Sequence, residues 1–209
     1  ELMPSLVGSE MCIRDRLTAT PVWLDRFMCQ YQLADTTTCP EAIMNANRSL
    51  RWNQSATTGG MDRYSRDSDQ LAFIEQSPPV EHEPLLAFAQ QCMDHYTKER
   101  KQAAEVPRFG MGEGYNVLRY KPGEAYHAVH SDWGWPHSAT RFLTFGMFLN
   151  TVPEGGELEF PDLEVKVAPV EGRAVIFPAA WMYAHRTLPA KMDRYVLNIF
   201  YGFLPEPTA

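Results

Sequence analysis

The chain has 209 residues, of which 44% are hydrophobic and 22% charged, and this length favours one substantial core over two. Lys and Arg number 19 against 26 Asp and Glu, a formal net charge of -7, which argues against the broad basic surface of proteins that bind nucleic acids or anionic membranes. No stretch approaches the roughly 18 consecutive apolar residues of a membrane span, and the N-terminus lacks the pattern of a secretory signal. We therefore expect one soluble, cytoplasmic domain with no membrane partner, and nothing in the charge indicates a nucleic-acid partner.

Four cysteines are present, at Cys12, Cys29, Cys39 and Cys92. They form no CxxC pair, and they are far fewer than in a small disulfide-bonded scaffold. We expect free thiols in a reducing compartment.

Residues 1–16 differ in character from the rest of the chain. The segment LMPSLVGSEMCIRDR has neither helical nor strand periodicity and resembles a translated adapter or read-through sequence, so it is left out of the fold prediction as a non-structural segment. Residues 17–112 are predicted to form an α-rich support region. A short helix is expected after residues 36–40 and a polar loop over 57–69, although the pattern of this part is mixed.

Residues 79–101 carry the clearest helical pattern. Apolar side chains recur there at three- and four-residue steps, at Leu85, Leu86, Phe88, Ala89, Cys92, Met93 and Tyr96. Since this spacing places them on one face, it predicts an amphipathic helix that packs against a sheet.

The sequence changes character after Gly114. Short runs rich in β-branched and aromatic residues are separated there by Gly, Pro and acidic turns, a pattern typical of strands. The predicted strands are 115–120, 125–130, 141–149, 157–160, 164–167, 173–177 and 194–203. With no long helix between them, they predict an antiparallel sandwich or barrel. We place this catalytic core at residues 113–209, within one globular domain overall.

Three residues in this region have the composition of a metal site. His130 and Asp132 are two positions apart, so on an extended backbone their side chains project to the same side about 7 Å apart. His185 follows another predicted strand and supplies a third ligand. Two histidines and one carboxylate on one face of an octahedron suit Fe(II) and leave positions for a cosubstrate and O2.

A His-x-Asp pair is a weak signal by itself, because it occurs by chance in many proteins. His127 and His137 flank the pair and are alternative ligands, but neither has an acidic residue two positions later. Arg194 follows His185 by nine residues, and its planar guanidinium can bind a carboxylate through two hydrogen bonds. A surface salt bridge is the ordinary alternative for such an arginine.

The segment from Tyr115 to Phe203 resembles the prolyl 4-hydroxylase-like branch of the Fe(II)/2-oxoglutarate-dependent dioxygenases. The resemblance rests on the order and spacing of Tyr120-x-x-Gly123, His130-x-Asp132, Arg141-x-x-Thr144, Leu149-Asn150, Gly155-Gly156-Glu157-Leu158-x-Phe160, Val167-x-Pro169, Gly172-Arg173-Ala174, Phe177-Pro178, His185, Pro189 and Arg194-Tyr195. It covers a little under half of the chain. The implied fold is mainly β with flanking helices, a double-stranded β-helix of the jelly-roll or cupin-like kind.

The resemblance also implies cofactors and roles. Fe(II), 2-oxoglutarate and O2 are the implied cofactors, with ascorbate as an accessory reductant. His130, Asp132 and His185 are the implied metal ligands, and Arg194 the group that binds the far carboxylate of 2-oxoglutarate. Tyr120 and Thr144 are implied to line the cosubstrate pocket with their hydroxyls. The expected reaction is hydroxylation of an unactivated C–H bond, and Asp132 favours it over halogenation.

Two positions depart from the family pattern. Phe148 stands where the hypoxia-sensing relatives carry a tyrosine that assists the arginine, a missing hydrogen bond worth about 1 kcal/mol. Tyr126 lies four residues before His130, where relatives place an aromatic residue three before, so the loop between Tyr120 and His130 is expected to differ in shape.

The substrate is left open by the sequence. The resemblance favours a prolyl residue in a protein or peptide, and a free amino acid or another small molecule would use the same ligands. Trp133 and Trp135 follow the His-x-Asp pair in a Gly- and Pro-containing loop, and we expect one of them to line the substrate entrance. Two other classes remain as alternatives: a non-catalytic β-sandwich binding module and a zinc-dependent hydrolase.

Overall fold

The computed structural model describes residues 21–56, 60, 62–74 and 77–205. The predicted non-structural segment 1–16, including Cys12, lies outside these residues, as does part of the loop predicted over 57–69.

Twelve strands and three helices are described. The strands are β1 (Val22–Trp23), β2 (Cys29–Gln32), β3 (Asn53–Gln54), β4 (Asp69–Phe73), β5 (Phe109–Gly110), β6 (Tyr115–Tyr120), β7 (Arg141–Phe148), β8 (Leu158–Phe160), β9 (Val165–Val167), β10 (Arg173–Pro178), β11 (Arg186–Thr187) and β12 (Arg194–Phe203). The helices are α1 (Thr38–Arg48), α2 (Glu83–Glu99) and α3 (Lys101–Ala104). Short 3-10 turns lie at Pro161–Leu163 and Trp181–Tyr183.

These strands form two antiparallel sheets. The major sheet has the order β1-β2-β10-β7-β12-β6-β4-β3, and β5 pairs with the end of β12. The minor sheet has the order β11-β8-β9. Most neighbours in the major sheet are distant in sequence, so its central strands β7, β10 and β12 are held by long-range pairing.

The side chains of β12 show how the major sheet separates two environments. Tyr195, Leu197 and Ile199 point to the helices and belong to the larger hydrophobic cluster. Arg194 and Asn198 alternate with them and line a cavity on the opposite face. This is the period-two alternation of a strand with both faces covered. Strands β6, β7 and β10 alternate in the same sense.

The helices cover the first face of the major sheet. The buried face of α2 consists of Leu85, Phe88, Ala89, Cys92, Met93 and Tyr96, and six of the seven residues predicted to form the apolar face are therefore buried. The seventh, Leu86, is partly buried and packs against the same cluster. Full burial of an aliphatic or aromatic side chain contributes about 1.5–3 kcal/mol, so this helix is a principal support of the sheet.

The second face of the major sheet packs against the minor sheet. Phe148 and Phe177 from the major sheet meet Phe160 and Val167 from the minor sheet in a smaller hydrophobic cluster. The ring centres of Phe160 and Phe177 are 4.9 Å apart in an edge-to-face arrangement, which is favourable for aromatic pairs. Two facing antiparallel sheets are the architecture that the jelly-roll prediction requires.

One predicted strand is wrong. Residues 125–130 do not form a ladder with a single partner, and only isolated bridges at Tyr126 and His130 are present. The backbone explains this, because the Ala128 amide donates to the Ser65 carbonyl while the Tyr126 carbonyl accepts from Thr187. The segment is extended, but its hydrogen bonds go to two different neighbours.

The N-terminal part contains three helices and also five strands that its sequence did not predict. Through β2 and β4 it completes both sides of the major sheet, since β2 pairs with β10 and β4 pairs with β6. The three described cysteines are free and buried, as expected. Among the described helices, none is long and apolar enough to cross a membrane.

Candidate active site

His130, Asp132 and His185 meet at one end of the space between the sheets. One ligand atom from each lies within 4.8 Å of the other two. The Nε2 atoms of His130 and His185 are 3.9 and 3.8 Å from the two carboxylate oxygens of Asp132. The backbones of the histidines exchange two hydrogen bonds, of 2.9 and 2.8 Å, so the first and third predicted ligands are clamped together although 55 residues separate them in the chain.

Both imidazole rings are oriented by backbone carbonyls. His130 Nδ1 lies 3.0 Å from the Ala128 oxygen, and His185 Nδ1 lies 3.0 Å from the Tyr183 oxygen. Because a carbonyl only accepts, each Nδ1 carries the proton and each Nε2 keeps its lone pair directed at the shared centre. This is the tautomer that a metal ligand requires.

The charges of the cluster also suit a cation. Burial lowers the pKa of His130 to about 3, with His185 acting in the same direction, so its ring is neutral at physiological pH. Burial of Asp132 favours the neutral acid, but the two histidines, the hydroxyl of Thr144 and Arg141 together hold the pKa of Asp132 below its usual value. Two imidazole nitrogens and one carboxylate are the donor set of an iron(II) facial triad.

Thr144 differs from the role that the resemblance implies. Its hydroxyl donates a 2.7 Å hydrogen bond to Asp132 Oδ2. It lines the inner cavity as expected, but its proton orients the metal-site carboxylate. A residue that hydrogen-bonds to a metal-binding side chain in this way fixes the orientation of that side chain.

Arg194 lies fully buried on the neighbouring strand, with 0% of its surface exposed. Its Nη1 donates to the carbonyl of Gly156, whereas Nε and Nη2 make no hydrogen bond to any described residue. Burial lowers the pKa of Arg194, against the opposing effects of Tyr120 and Glu157. A buried guanidinium with two unsatisfied nitrogens is costly without an anion.

Tyr120 and two glycines shape the surroundings of Arg194. The ring centre of Tyr120 is 4.0 Å from the guanidinium carbon, and Tyr120 is buried. Gly156 has φ +78°, and a Cβ there would approach Arg194 Cδ to 3.3 Å. At Gly155 a Cβ would meet the Pro189 oxygen at 2.1 Å. Only glycine therefore fits the turn that holds a carbonyl against Arg194.

Two connected spaces join at the triad. The inner cavity has a volume of about 90 Å³ and runs between the triad and Arg194, with Tyr120, Thr144 and Phe148 in its wall. The outer cleft has a volume of about 700 Å³ and reaches the surface. The inner space suits a small dicarboxylate, and the outer space suits a larger molecule.

The two tryptophans behave differently. Trp135 is 57% exposed and lines the outer cleft. Trp133 lines neither space, and its indole donates to the Ala139 carbonyl at 2.9 Å.

The two histidines considered as alternative ligands lie apart from the triad. His137 lines the outer cleft, whereas His127 lines neither of the two spaces. Neither of these histidines belongs to the metal cluster found among the described residues.

The sequence analysis missed Arg66, Asn198 and Phe200, each of which lines both spaces. Phe200 shares a strand face with Arg194. The period-two alternation starting at Arg194 was a signal that could have found Asn198 and Phe200. No sequence signal pointed to Arg66.

Tyr126 is the aromatic residue that lies four residues before His130, where the family pattern has an aromatic residue three before. Its ring stacks on His130 with centres 3.5 Å apart and planes inclined by 15°. The guanidinium carbon of Arg66 lies 5.0 Å from the centre of the same ring. The Tyr126 backbone amide donates to the Thr187 hydroxyl at 2.7 Å. A four-residue spacing to His130 thus still places an aromatic ring against the metal ligand.

Sequence comparison identifies relatives of the core. Residues 115–202 match the model of the 2OG-Fe(II) oxygenase superfamily. The probable prolyl 4-hydroxylase 9 of Arabidopsis thaliana is 34% identical over 75 residues, which cover 34% of this chain and 25% of the relative. Prolyl 4-hydroxylase 13 of the same plant is 37% identical over 84 residues, covering 31% of each protein. The chain therefore aligns with less than a third of the length of these curated relatives.

Solved structures share the fold. The viral collagen prolyl hydroxylase of Paramecium Bursaria Chlorella virus-1 superposes with a TM-score of 0.63 at 23% identity, covering 86% of this chain and 97% of that one. A prolyl-4-hydroxylase of Pseudomonas putida gives 0.67 at 20% identity, with 84% and 92% covered. The prolyl hydroxylase of Trichoplax adhaerens, solved with a hypoxia inducible factor peptide, gives 0.69 at 15% identity, with 96% and 94% covered. The predicted jelly-roll fold is confirmed.

Proposed function

We propose, on the premise that residues 115–202 form a prolyl 4-hydroxylase-like segment of the 2OG-Fe(II) oxygenase superfamily, that this protein is an Fe(II)/2-oxoglutarate-dependent dioxygenase. Its reaction is the hydroxylation of an unactivated C–H bond. The single observation that carries the proposal is the pairing, within one small cavity, of the His-Asp-His cluster with the buried and unsatisfied guanidinium of Arg194.

The residues fit the cofactors by their chemistry. His130, Asp132 and His185 would hold ferrous iron, and Arg194 would bind the far carboxylate of 2-oxoglutarate through its free Nε and Nη2. When bound, iron, 2-oxoglutarate and O2 supply the oxidation of a C–H bond to an alcohol, with succinate and CO2 as coproducts. Ascorbate as an accessory reductant is part of the proposal and rests on the resemblance alone.

The protein contributes positioning and the exclusion of water. Thr144 keeps one oxygen of Asp132 fixed, and the carbonyls behind His130 and His185 keep both Nε2 atoms directed at the centre. Apolar walls at Phe148 and Phe177 limit the space to the cosubstrate. A site whose groups are fixed in advance avoids reorganisation during the reaction.

For the substrate we propose a prolyl residue in a protein or peptide. The names of the Arabidopsis relatives support prolyl hydroxylation, and the structure from Trichoplax adhaerens was solved with a peptide fragment. The outer cleft is open and large enough for part of a peptide. A free amino acid or another small metabolite is the second candidate, because the cationic side chain of Arg66 lines that cleft and favours a small acidic molecule.

The decisive experiment is anaerobic titration of the metal-free protein with Fe(II) and 2-oxoglutarate. A weak visible charge-transfer band is expected in the wild type, and it should weaken or disappear in Asp132→Ala. A folded protein that binds iron but shows no band would favour a non-catalytic binding module. Turnover supported by Zn(II) alone would favour a hydrolase and contradict the proposal.

A further inference from the structure

The outer cleft contains a cation, Arg66, that has no counter-ion among the residues that the structure describes. Arg66 is half-buried and lines both the inner cavity and the outer cleft. The other arginine of the cleft, Arg141, is paired with Glu113 through hydrogen bonds of 2.8 and 2.6 Å. The nearest acidic residue in sequence, Asp67, is paired with Arg63. Within the described parts of the chain Arg66 forms no ion pair, so its charge is available to a ligand.

The side chain of Arg66 is held in place by neutral groups. Its Nη1 donates to the Ala56 carbonyl at 3.1 Å, and its Nε donates to the Ser68 hydroxyl at 3.3 Å. Nη2 has no hydrogen bond to a residue of the described segments. A backbone bridge ties Arg66 to Tyr126. The guanidinium is therefore fixed before a ligand arrives and keeps a free donor, which lowers the ordering cost of binding.

The position of Arg66 relative to the metal site limits what it can bind. The Tyr126 ring contacts both Arg66 and His130, with its centre 5.0 Å from the guanidinium carbon and 3.5 Å from the imidazole centre. One aromatic ring thus links the cation to a proposed metal ligand. An anion on Arg66 would belong to a group only a few bonds away from a carbon held at the metal.

From these contacts we propose that Arg66 binds a carboxylate of the substrate, and that this carboxylate belongs to the same residue as the C–H bond that is oxidised. The substrate class is then a free amino acid or the C-terminal residue of a peptide. The inference rests on the proposed function, and it narrows the prolyl hypothesis to proline with a free carboxylate. The formal net charge of -7 provides no general attraction for acids, so recognition depends on this local cation.

The test is calorimetric binding to the protein loaded anaerobically with Fe(II) and 2-oxoglutarate. The probes are N-acetyl-L-proline, its uncharged primary amide and L-proline. The wild type should bind the acid about tenfold or more tightly than the amide. This is the ratio of dissociation constants that corresponds to the free energy of one charge-assisted hydrogen bond. Arg66→Gln should lose this preference. Arg66→Met, whose side chain is uncharged and apolar, should lose it as well. Arg63→Gln is the matched control, because Arg63 is an exposed neighbour paired with Asp67.

The outcomes separate the sources of the carboxylate. Tighter binding of L-proline than of N-acetyl-L-proline identifies a free amino acid, and the reverse identifies a C-terminal residue. A wild type that binds the amide as tightly as the acid, or binds neither acid, overturns the inference. Weaker binding of 2-oxoglutarate itself in Arg66→Gln would assign Arg66 to the cosubstrate and also overturn it. If the wild type loaded with Fe(II) and 2-oxoglutarate shows no charge-transfer band, that result would instead contradict the proposed function.

Discussion

Arg194 and Tyr120 lie directly opposite each other in the register of β12 and β6, and the guanidinium carbon is 4.0 Å from the centre of the tyrosine ring. The aromatic face stabilises the cation, but it offers no acceptor that would satisfy Nε and Nη2. The guanidinium is therefore buried beside a tyrosine, and among the described residues it forms no ion pair.

The first prediction concerns replacement of this cation by an apolar side chain of similar length. Arg194→Met should weaken 2-oxoglutarate binding by about 100-fold, since two charge-assisted hydrogen bonds are lost. The metal-free variant should be at least as stable as the wild type, because an unpaired buried charge is removed. Calorimetry with 2-oxoglutarate and thermal unfolding measure the two effects.

The control for that substitution is Arg186→Met. Arg186 pairs with Glu159 and its side chain is 40% exposed, so binding of 2-oxoglutarate should not change. Unaltered cosubstrate affinity in Arg194→Met would refute the role assigned to Arg194.

A second prediction follows from the hydrogen bond between Thr144 and Asp132. Thr144→Val keeps the shape of the side chain but removes the donor, and Fe(II) affinity should fall about 10-fold or more. Thr144→Ser should restore most of the affinity, because it retains the hydroxyl. Metal affinity is measured by competition with a chelator, which separates this effect from catalysis. Equal affinities in the Val and Ser variants would show that the hydroxyl does not position the carboxylate.

The core of the site was predictable because its signals are local. The alternation in β6, β7, β10 and β12 gave strands whose bounds agree closely with the structure, and the His-x-Asp spacing with Arg194 led to residues that the structure brings together around one cavity. Arg66 was not predictable, since it meets Tyr126 through a bridge between segments 60 residues apart. Strands β1 and β3 have two residues each, too few for alternation to be visible. Such strands are specified by their neighbours in the sheet.

A third prediction concerns pH. The pKa of His130 lies at about 3 in the folded metal-free protein, against a usual 6.5, so the unfolded chain binds this proton more readily. The free energy of unfolding should therefore fall as pH decreases below 6.5 and continue to fall until about pH 3. The slope from this group is at most about 1.4 kcal/mol per pH unit. Asp132 acts in the same direction at lower pH, since its pKa is also depressed.

Chemical unfolding of the metal-free protein at a series of pH values measures that slope. His130→Gln should flatten the dependence between pH 6.5 and 5, where carboxylates contribute little. His137→Gln is the control, since His137 lies in the outer cleft outside the metal cluster. An unchanged slope in His130→Gln would mean that His130 does not have a depressed pKa.

The fourth prediction uses two glycines with similar backbones. Gly156 has φ +78° and Gly123 has φ +85°, so alanine at either position carries the same backbone strain of about 1 kcal/mol, but a Cβ at Gly123 meets nothing within 4 Å. At Gly156 the methyl would also press on Arg194 Cδ at 3.3 Å and shift the guanidinium. Gly156→Ala should therefore weaken 2-oxoglutarate binding as well as stability, whereas Gly123→Ala should lower stability alone. Calorimetry and thermal unfolding on both variants decide this, and equal 2-oxoglutarate affinities would show that the carbonyl at Gly156 does not set the position of Arg194.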